Sequence, residues 1–245
     1  MEEFDAVENV PLLCIPHAGG GASAYRRWTA ALAPAVDVRI LQLAGRESRF
    51  RERPSDDLAT VVDDLCASVP AAPFALFGHS MGAVLAFEVA HTVRERTGRE
   101  PLHLFVSACR APHEPQVEHP LSHLPEQNMI AEIAQRYSGV PTPILQDAEY
   151  MACVAPAIRA DFRILERYRI ADRPPLRCAI TAFFGVADPV IPRAAVAAWA
   201  RHTSGSFALH PIDGEHFYLQ EQRLRLAGTI RATLARDDRT EATYR

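Results

Sequence analysis

The chain has 245 residues, of which 48% are hydrophobic and 23% charged, and these values are typical of a globular protein with its own core. The formal net charge of -4 argues against nucleic-acid binding driven by overall charge. No apolar run is long enough to span a membrane, and the acidic first residues lack the apolar core of a secretory signal. We therefore expect a cytoplasmic enzyme or binding protein.

The cysteines are scattered and form no C-x-x-C pair, so neither a disulfide framework nor a zinc site is predicted. We expect no metal and no cofactor. Apolar neighbours predict buried thiols at the five positions, which are Cys14, Cys66, Cys109, Cys153 and Cys178.

Short apolar runs alternate with longer helical patterns, which predicts a mostly parallel sheet flanked by helices. In chain order, the predicted strands cover residues 12–15, 36–43, 74–77, 102–107, 178–184 and 207–212. The predicted helices cover residues 23–33, 57–69, 81–97, 192–202 and 220–235. Several of the strands are almost continuously apolar, as expected for strands that are covered on both faces.

The interval 110–175 is too long for an ordinary connection between two strands of a sheet, and it carries helical patterns of its own. We predict that residues 112–172 form a helical lid over one end of the sheet. On this interpretation residues 1–245 form a single α/β domain with one insertion.

Apolar side chains within 147–168 recur at spacings of three and four residues and define one face of a helix. We predict that Met151, Val154, Ile158 and Phe162 on this face line or cover an acyl channel. The alternative is that the face only attaches the lid to the sheet.

The most specific catalytic signal is the sequence Gly78-His-Ser-Met-Gly82. It follows a predicted strand and precedes a predicted helix, which is the context in which G-x-S-x-G forms a nucleophile elbow. The glycines are needed because Cβ atoms there would collide with the neighbouring strand and helix backbone. The turn exposes Ser80 at a helix N-terminus, where partial positive charge favours a developing anion. We predict that Ser80 is the nucleophile.

A serine nucleophile needs a base and an orienting acid, and in this fold class the acid and then the histidine follow the serine along the chain. His216 lies directly after a predicted strand and before the last predicted helix, so we predict that it is the base. The other histidines are assigned to packing or hydrogen bonding beside the nucleophile (His79), to strands (His103, His210) and to solvent-facing positions of the insertion (His113, His119, His123).

Asp188 follows the strand predicted over 178–184, and the proline after it indicates a turn at the carboxyl end of that strand. We predict that Asp188 is the acid. Asp213 and Glu215 are alternatives, although both share the loop of His216 and would have to fold back to reach it. A further interpretation is that Asp188 only caps the helix that follows.

The glycine-rich sequence Pro16-His-Ala-Gly-Gly-Gly21 comes directly after the first predicted strand. A turn at this place presents a backbone N–H beside the nucleophile, and the residue after the serine supplies a second one. We predict that the amides of Ala18 and Met81 form an oxyanion hole. A phosphate-binding role for the glycines is disfavoured because neither of the usual glycine-rich nucleotide motifs is present.

With these residues placed, the chain resembles, from about residue 12 to 234, the discrete type II thioesterases of polyketide and nonribosomal peptide biosynthesis. The shared motifs are Ile15-Pro-His-Ala-Gly-Gly20, Ala44-Gly-Arg-Glu47, Phe77-Gly-His-Ser-Met-Gly82, Val106-Ser-Ala-Cys-Arg-Ala-Pro112, Asp161-Phe162 and Gly214-Glu-His-Phe-Tyr218. Ala44 stands where such proteins usually have proline, so we expect a slightly altered loop there. The resemblance implies an α/β-hydrolase fold with a helical lid.

The resemblance also implies an activity and a partner. The activity is hydrolysis of acyl groups from the phosphopantetheine arm of acyl or peptidyl carrier proteins, which would clear stalled or misprimed synthases. Carrier proteins are typically acidic, so this acidic chain needs a local basic surface to receive one. Two candidates are the stripe Arg159, Arg163 and Arg167 on the lid helix and the arginines of the 46–53 loop, which are Arg46, Arg49, Arg51 and Arg53. The alternative is a solvated surface with ordinary ion pairs.

Acyl transfer to water through Ser80 follows from the residues, whereas the thioester and the carrier follow only from the resemblance. A general carboxylesterase or lipase-like hydrolase would use the same triad. A thioesterase that releases a finished product is a further alternative. A noncatalytic acyl- or carrier-binding protein is disfavoured because all three triad positions are filled.

Overall fold

A six-stranded parallel sheet organises the protein, for which a computed structural model describes residues 9–137 and 148–242. The strand order across the sheet is β2-β1-β3-β4-β5-β6, and every neighbouring pair is parallel. The strands are β1 (Val10–Ile15), β2 (Val36–Ile40), β3 (Ala75–His79), β4 (His103–Ser107), β5 (Ala179–Gly185) and β6 (Phe207–Ile212). The predicted α/β class with a mostly parallel sheet is therefore confirmed.

Helices connect the strands. They are α1 (Trp28–Leu32), α2 (Leu58–Cys66), α3 (Met81–Thr97), α4 (Glu126–Tyr137), α5 (Ala148–Arg167), α6 (Arg193–Ala197) and α7 (Arg223–Ala242). Short 3-10 helices occupy Ala22–Tyr25, Glu47–Arg49 and Ala198–His202. The 3-10 turns at 22–25 and 198–202 replace parts of two predicted α-helices.

The second strand is shorter than predicted. The amide of Leu41 still donates to the carbonyl of Cys14, but regular pairing of β2 ends at Ile40. Leu41 and Leu43 nevertheless remain buried in the core. Their apolar character therefore reflects burial of the chain after the strand rather than continuation of the strand.

The core lies on both faces of the sheet because successive strand residues point in opposite directions. In β1, Leu13 and Ile15 pack with α2 and α3, whereas Leu12 and Cys14 pack with α1 and α7. Both faces of the central strands are covered, which explains their continuous apolar sequences.

The prediction that every thiol is buried is wrong in part. Cys14 and Cys109 are buried, but Cys66 and Cys178 are half-buried and Cys153 is exposed. Cys153 lies on α5, where one face of the helix is turned to solvent, and apolar neighbours in sequence do not decide which face a residue occupies.

In the described part of the long interval between β4 and β5 lie the helices α4 and α5. The carboxylate of Glu166 on α5 accepts hydrogen bonds from the amides of Leu121 and Ser122 and from the Ser122 hydroxyl. Arg159, two helical turns earlier, donates to the carbonyls of Ser122 and Leu124. The long helix is therefore attached to the 121–124 segment at two places.

One part of the predicted lid, residues 138–147, lies outside the described residues. In the part of the chain that is described, no helix is both long and apolar enough to cross a membrane.

Candidate active site

Ser80 lies in a tight turn between β3 and α3. Its φ of 54° and ψ of -121° place a non-glycine residue in a strained region of backbone conformation. A Cβ on Gly78 would lie 2.1 Å from the carbonyl oxygen of Gly82, and a Cβ on Gly82 would lie 2.1 Å from that of Ile15. Both positions therefore require glycine, and the strand–turn–helix context expected of a nucleophile elbow is present.

The structure brings together the three side chains that the sequence analysis selected as a triad. The Nε2 atom of His216 lies 3.1 Å from Oγ of Ser80, and its Nδ1 atom lies 2.8 Å from Oδ2 of Asp188. The His216 and Asp188 side chains are 1% and 0% exposed. The result is a hydrogen-bonded chain from the elbow serine through an imidazole to a buried carboxylate.

The carboxylate of Asp188 is held on its other side by backbone. Its Oδ1 atom accepts the amides of Val190 at 2.8 Å and Ile191 at 3.0 Å. The alternative acid Asp213 instead faces Arg225 at 2.9 Å with its side chain 73% exposed. The other alternative, Glu215, is exposed as well. Only Asp188 of the three is hydrogen-bonded to His216 within the described residues.

The glycine-rich segment after β1 forms a turn beside the elbow. The amide of Gly20 donates to the carbonyl of His17 at 2.9 Å, and Gly19 between them has a φ of +73°. A left-handed third position is what a type II turn requires, which accounts for the glycine. The carbonyls of Ile15 and Pro16 approach Gly82 so closely that the start of the turn packs against the start of α3.

Both residues predicted to supply the oxyanion hole stand next to these features. Ala18 lies inside the turn, and Met81 is the first residue of α3, where backbone N–H groups have no acceptor within the helix. The peptide group that carries the Ala18 N–H also carries the carbonyl of His17, which the Gly20 amide binds. Because a trans peptide is planar, that bond also fixes the direction of the Ala18 N–H.

A buried ion pair next to the turn was not predicted. The carboxylate of Asp161 on α5 accepts the amide of Gly19 at 2.7 Å and two nitrogens of Arg46 at 2.7 and 3.0 Å. Arg46 also donates to the carbonyl of Gly20 at 3.3 Å. The only sequence signal for these residues is that both belong to the motifs shared with the thioesterases.

The assignment of Arg46 to a docking surface is wrong. Its side chain is 6% exposed and its charge is paired with Asp161, whose side chain is 3% exposed. The sequence places four arginines in one loop but does not show that the first of them points inward.

Neutral imidazoles surround the triad histidine. Burial, together with the charge of His216, lowers the pKa of His17 to about 4 and also lowers the pKa of His79. His79 meets the Ser107 hydroxyl through Nδ1 at 2.9 Å, and that hydroxyl meets the Tyr218 hydroxyl at 2.6 Å. The predicted packing and hydrogen-bonding role of His79 is confirmed.

Tyr137, at the end of α4, is a further site residue that the sequence analysis missed. Its ring centroid lies 5.0 Å from that of His216 and 6.2 Å from that of Phe162. Burial raises the pKa of its hydroxyl to about 12, so the hydroxyl stays protonated. An aromatic residue at the end of an amphipathic helix carries no sequence signal that distinguishes it from a core residue.

Two of the four predicted channel residues are placed beside these groups. Phe162 packs near Tyr137, and a Cβ on Gly19 would lie 2.7 Å from Cγ1 of Ile158. Phe162 forms a small buried apolar cluster with Leu121 and Met129, and Ala18 and Ile158 pack against that cluster. Val154 is half-buried and Met151 is buried.

Comparison with known protein families identifies the family of this chain. Residues 10–234 match the family model described as a thioesterase domain. The chain belongs to the thioesterase family. It is therefore a thioester hydrolase, and the elbow and its hydrogen-bonded partners lie within the matched region.

Individual relatives agree with this assignment. The gramicidin S biosynthesis protein GrsT of Aneurinibacillus migulanus is 37% identical over 218 residues, which cover 88% of this chain and 85% of GrsT. The RedJ thioesterase from the prodiginine pathway of Streptomyces coelicolor is 38% identical, with a TM-score of 0.85 over 91% of this chain and 85% of RedJ. The type II thioesterase BorB from the borrelidin biosynthetic cluster is 39% identical, with a TM-score of 0.82 over 92% of each chain.

These relatives confirm the resemblance to type II thioesterases that the motifs indicated, and they confirm the α/β-hydrolase fold. Within residues 9–137 and 148–242, no group of three or more His, Cys, Asp or Glu side chains is arranged to hold a metal ion.

The arginines expected to form a docking surface differ in their hydrogen-bond and ion-pair partners. Arg159 is engaged by backbone carbonyls, as described above, whereas Arg163 and Arg167 lie 3.3 and 3.6 Å from the same carboxylate oxygen of Asp56. Arg53, Arg159 and Arg163 line one groove of about 530 Å³ in the thioesterase, between the 53–56 segment and α5. The two candidate surfaces therefore meet in one groove.

Proposed function

We propose that this thioesterase hydrolyses acyl groups from the phosphopantetheine arm of carrier proteins, in a polyketide or nonribosomal peptide pathway, through an acyl-enzyme on Ser80. The observation that carries the catalytic part is the hydrogen-bonded chain from Ser80 through His216 to Asp188 at a nucleophile elbow. The pathway is supported by the names of the relatives, and the editing role by the resemblance to discrete type II enzymes.

In the first half-reaction, Oγ of Ser80 attacks the thioester carbonyl while Nε2 of His216 takes the hydroxyl proton. The amides of Ala18 and Met81 donate to the oxyanion that forms. The tetrahedral intermediate then collapses, the carbon–sulfur bond breaks, and the His216 imidazolium returns its proton to the departing pantetheine sulfur. The products of this step are an acyl ester of Ser80 and the free thiol.

In the second half-reaction a water molecule takes the place of the thiol. Nε2 of His216 removes a proton from the water, whose oxygen attacks the ester carbonyl in the same oxyanion hole. Collapse releases the carboxylic acid and returns the proton to Oγ of Ser80. Throughout both steps the ionised carboxylate of Asp188 accepts the Nδ1–H of His216, which keeps Nε2 free to act as the base.

The described part of the 112–172 interval acts as a lid that carries the acyl-binding surface. Ile158 packs over Gly19, Phe162 packs near Tyr137, and the Tyr137 ring lies against the ring of His216. We assign the acyl channel to the face of α5 that carries these residues together with Val154 and Met151. An apolar wall beside the nucleophile favours an acyl chain over water.

The catalytic assignment is tested with Ser80→Ala and an acyl-phosphonate probe. Loss of a triad member commonly lowers the rate on the order of 10⁴-fold or more, and we expect that loss here with an unchanged thermal unfolding temperature. Mass spectrometry should find the phosphonate on Ser80 of the unmodified protein and no label on the variant. Activity of Ser80→Ala within tenfold of the parent would rule out the nucleophile.

The substrate assignment is tested with matched substrates. We expect faster hydrolysis of an acyl thioester on a carrier protein than of the corresponding oxoester, and preference for the oxoester would indicate a general carboxylesterase. An editing enzyme should remove short acyl groups that block a carrier, whereas a product-releasing enzyme should prefer the full-length chain of its pathway.

A further inference from the structure

We propose that Asp161 and Arg46 are positioning residues for the oxyanion hole, so that the seating of the lid helix α5 determines whether the hole is assembled. This inference rests on the proposed function, because it assumes that the amide of Ala18 stabilises the oxyanion. Neither residue contacts the reacting atoms in this assignment. They act through the backbone of the turn at His17–Gly20.

Every peptide group of this turn has a hydrogen-bonded partner. The 17–18 and 19–20 peptides are joined by the bond from the Gly20 amide to the His17 carbonyl. The 18–19 peptide donates its N–H to Asp161, and the 20–21 peptide presents its carbonyl to Arg46. Both of these hydrogen bonds from outside the turn thus come from one buried ion pair.

The 18–19 peptide is the central peptide of the turn, and rotation of this group is the movement by which such turns change type. The type II form needs Gly19 at positive φ, and its observed φ is +73°. The carboxylate of Asp161 accepts the Gly19 amide at 2.7 Å and so favours this form over the rotated one. Rotation would change ψ of Ala18 and φ of Gly19 and so disturb the placement of Gly20, whose amide binds the His17 carbonyl and thereby fixes the peptide that carries the Ala18 N–H.

The lid helix supplies this constraint together with an apolar contact. Ile158, one turn before Asp161 on α5, packs so closely over Gly19 that no Cβ fits there. Displacement of α5 would remove the acceptor of the Gly19 amide and the cover over the turn at the same time. It would also leave the charge of Arg46 buried without its partner, which is costly in a protein interior.

The loop after β2 holds the other side of the same segment. Arg46 binds Gly20 as described, and the next residue, Glu47, accepts the amide and hydroxyl of Ser23. The glycine-rich segment is therefore clamped between the 46–47 pair and α5. A buried pair of this kind is weak evidence for stability, because replacement by apolar residues is often neutral, so a positioning role is the better explanation.

The test compares two double variants that differ in one property. Arg46→Met/Asp161→Leu removes both charges and the acceptor of the Gly19 amide. Arg46→Met/Asp161→Asn also removes both charges but keeps an amide oxygen at the acceptor position, in a side chain of similar size. Comparison of the two separates the hydrogen bond to Gly19 from the loss of the ion pair.

We expect the Leu-containing variant to keep a cooperative unfolding transition. Its kcat on a small acyl thioester should be lower by on the order of 10-fold to 100-fold, which is a smaller loss than removal of an oxyanion donor causes. The affinity for a trifluoromethyl ketone analogue, whose adduct places an oxyanion in the hole, should fall by a similar factor. The affinity for an ether analogue of the same substrate, which is unreactive and forms no oxyanion, should stay unchanged. The Asn-containing variant should recover most of the loss in both kcat and ketone affinity.

A kcat within twofold of the parent in the folded Leu-containing variant would overturn the inference, as would equal losses in the two double variants. If the Leu-containing variant does not fold, Asp161→Glu replaces it, because it keeps both charges and displaces the carboxylate. We then expect a kcat at least threefold lower with unchanged ether-analogue affinity, and an unchanged kcat would overturn the inference. Failure of the proposed function is a separate result, since it would appear as retained activity in Ser80→Ala.

Discussion

Nδ1 of His216 lies 2.8 Å from Oδ2 of Asp188, and the other oxygen of the same carboxylate accepts two backbone amides. The two amides fix the orientation of the carboxylate, because both bind the oxygen that does not face His216. The carboxylate in turn requires a hydrogen on Nδ1 of His216. One loop after β5 therefore determines which nitrogen of the imidazole faces Ser80 as a base.

This relationship predicts the effect of Asp188→Asn. The amides of Val190 and Ile191 will bind the side-chain oxygen of the asparagine, so its NH₂ group will face His216. Nδ1 must then accept, the proton moves to Nε2, and the imidazole cannot take the proton of Ser80. We expect a folded protein with kcat lower on the order of 10⁴-fold, measured on a small acyl thioester.

Asp213→Asn is the matched control for that experiment. Asp213 is exposed and paired with Arg225, so its loss should change kcat by less than twofold. If Asp213→Asn has the strongly lowered kcat and Asp188→Asn does not, the acid has been assigned to the wrong residue.

The elbow was predictable because its requirements are local. Two glycines, a serine, a preceding apolar strand and a following helix all lie within one short stretch of sequence. The chain order of the triad added His216 and Asp188, since parallel strands carry their following loops to the same edge of the sheet. The helix predicted over 81–97 has the same bounds in the structure.

The ion pair of Arg46 and Asp161 was not predictable in the same way. Its members lie 115 positions apart, and each looks like an ordinary surface charge in its own helix or loop. Arg159 illustrates the same limit, because its spacing from Arg163 places both on a helix face but does not show that carbonyls of the 121–124 segment bind it. Tertiary contacts between distant segments decide which charges are buried.

The pH dependence of stability is predicted from His91. Burial, aided by the charges of Arg173 and Arg94, lowers the pKa of His91 to about 3, against about 6.5 in an unfolded chain. The unfolded state therefore binds more protons than the folded state between these values. The free energy of unfolding must fall as the pH is lowered through this range, by at most about 1.4 kcal/mol per pH unit for one such group.

The contribution is isolated with His91→Asn. The asparagine oxygen takes the place of Nδ1 as the acceptor from Arg94, which lies 2.9 Å away, but it does not titrate. Urea unfolding at several pH values below 6.5 should give a shallower dependence for the variant than for the parent. Parallel curves for the two proteins would contradict the prediction.

Acyl-chain selectivity is predicted to respond to Val154. This half-buried residue lies one turn before Ile158 on the face of α5 assigned to the acyl channel. In Val154→Phe the larger side chain should shorten the channel, so kcat/KM on pantetheine thioesters from acetyl to dodecanoyl should shift toward shorter chains. Cys153→Phe adds the same bulk at the neighbouring exposed position and should keep the parent profile. Identical profiles in all three proteins would mean that the face only attaches the lid.

The surface predicted to dock the carrier is the groove between the 53–56 segment and α5, rather than the arginine stripe on α5 alone. Arg53 and Arg163 line it, and Arg167 lies close by, sharing the carboxylate of Asp56 with Arg163. The groove also holds the carboxylates of Asp56 and Glu126, but these two face four guanidinium groups, those of Arg53, Arg159, Arg163 and Arg167, so the surface keeps a positive excess that attracts an acidic partner. Arg159 is unsuited to charge reversal because its loss would leave the carbonyls of Ser122 and Leu124 without their donor.

We expect Arg53→Glu/Arg163→Glu to lower kcat/KM on an acyl-carrier substrate at low salt while leaving a small acyl thioester unaffected, because surface charge acts mainly on association. Raising the salt concentration should have the same selective effect on the parent, since the screening length falls to about 10 Å at 0.1 M. Arg231→Glu makes one such reversal at an exposed position of α7 and should leave both substrates unchanged. If salt affects the two substrates equally, or Arg231→Glu slows the carrier substrate as much as the groove variant does, the groove does not dock the carrier.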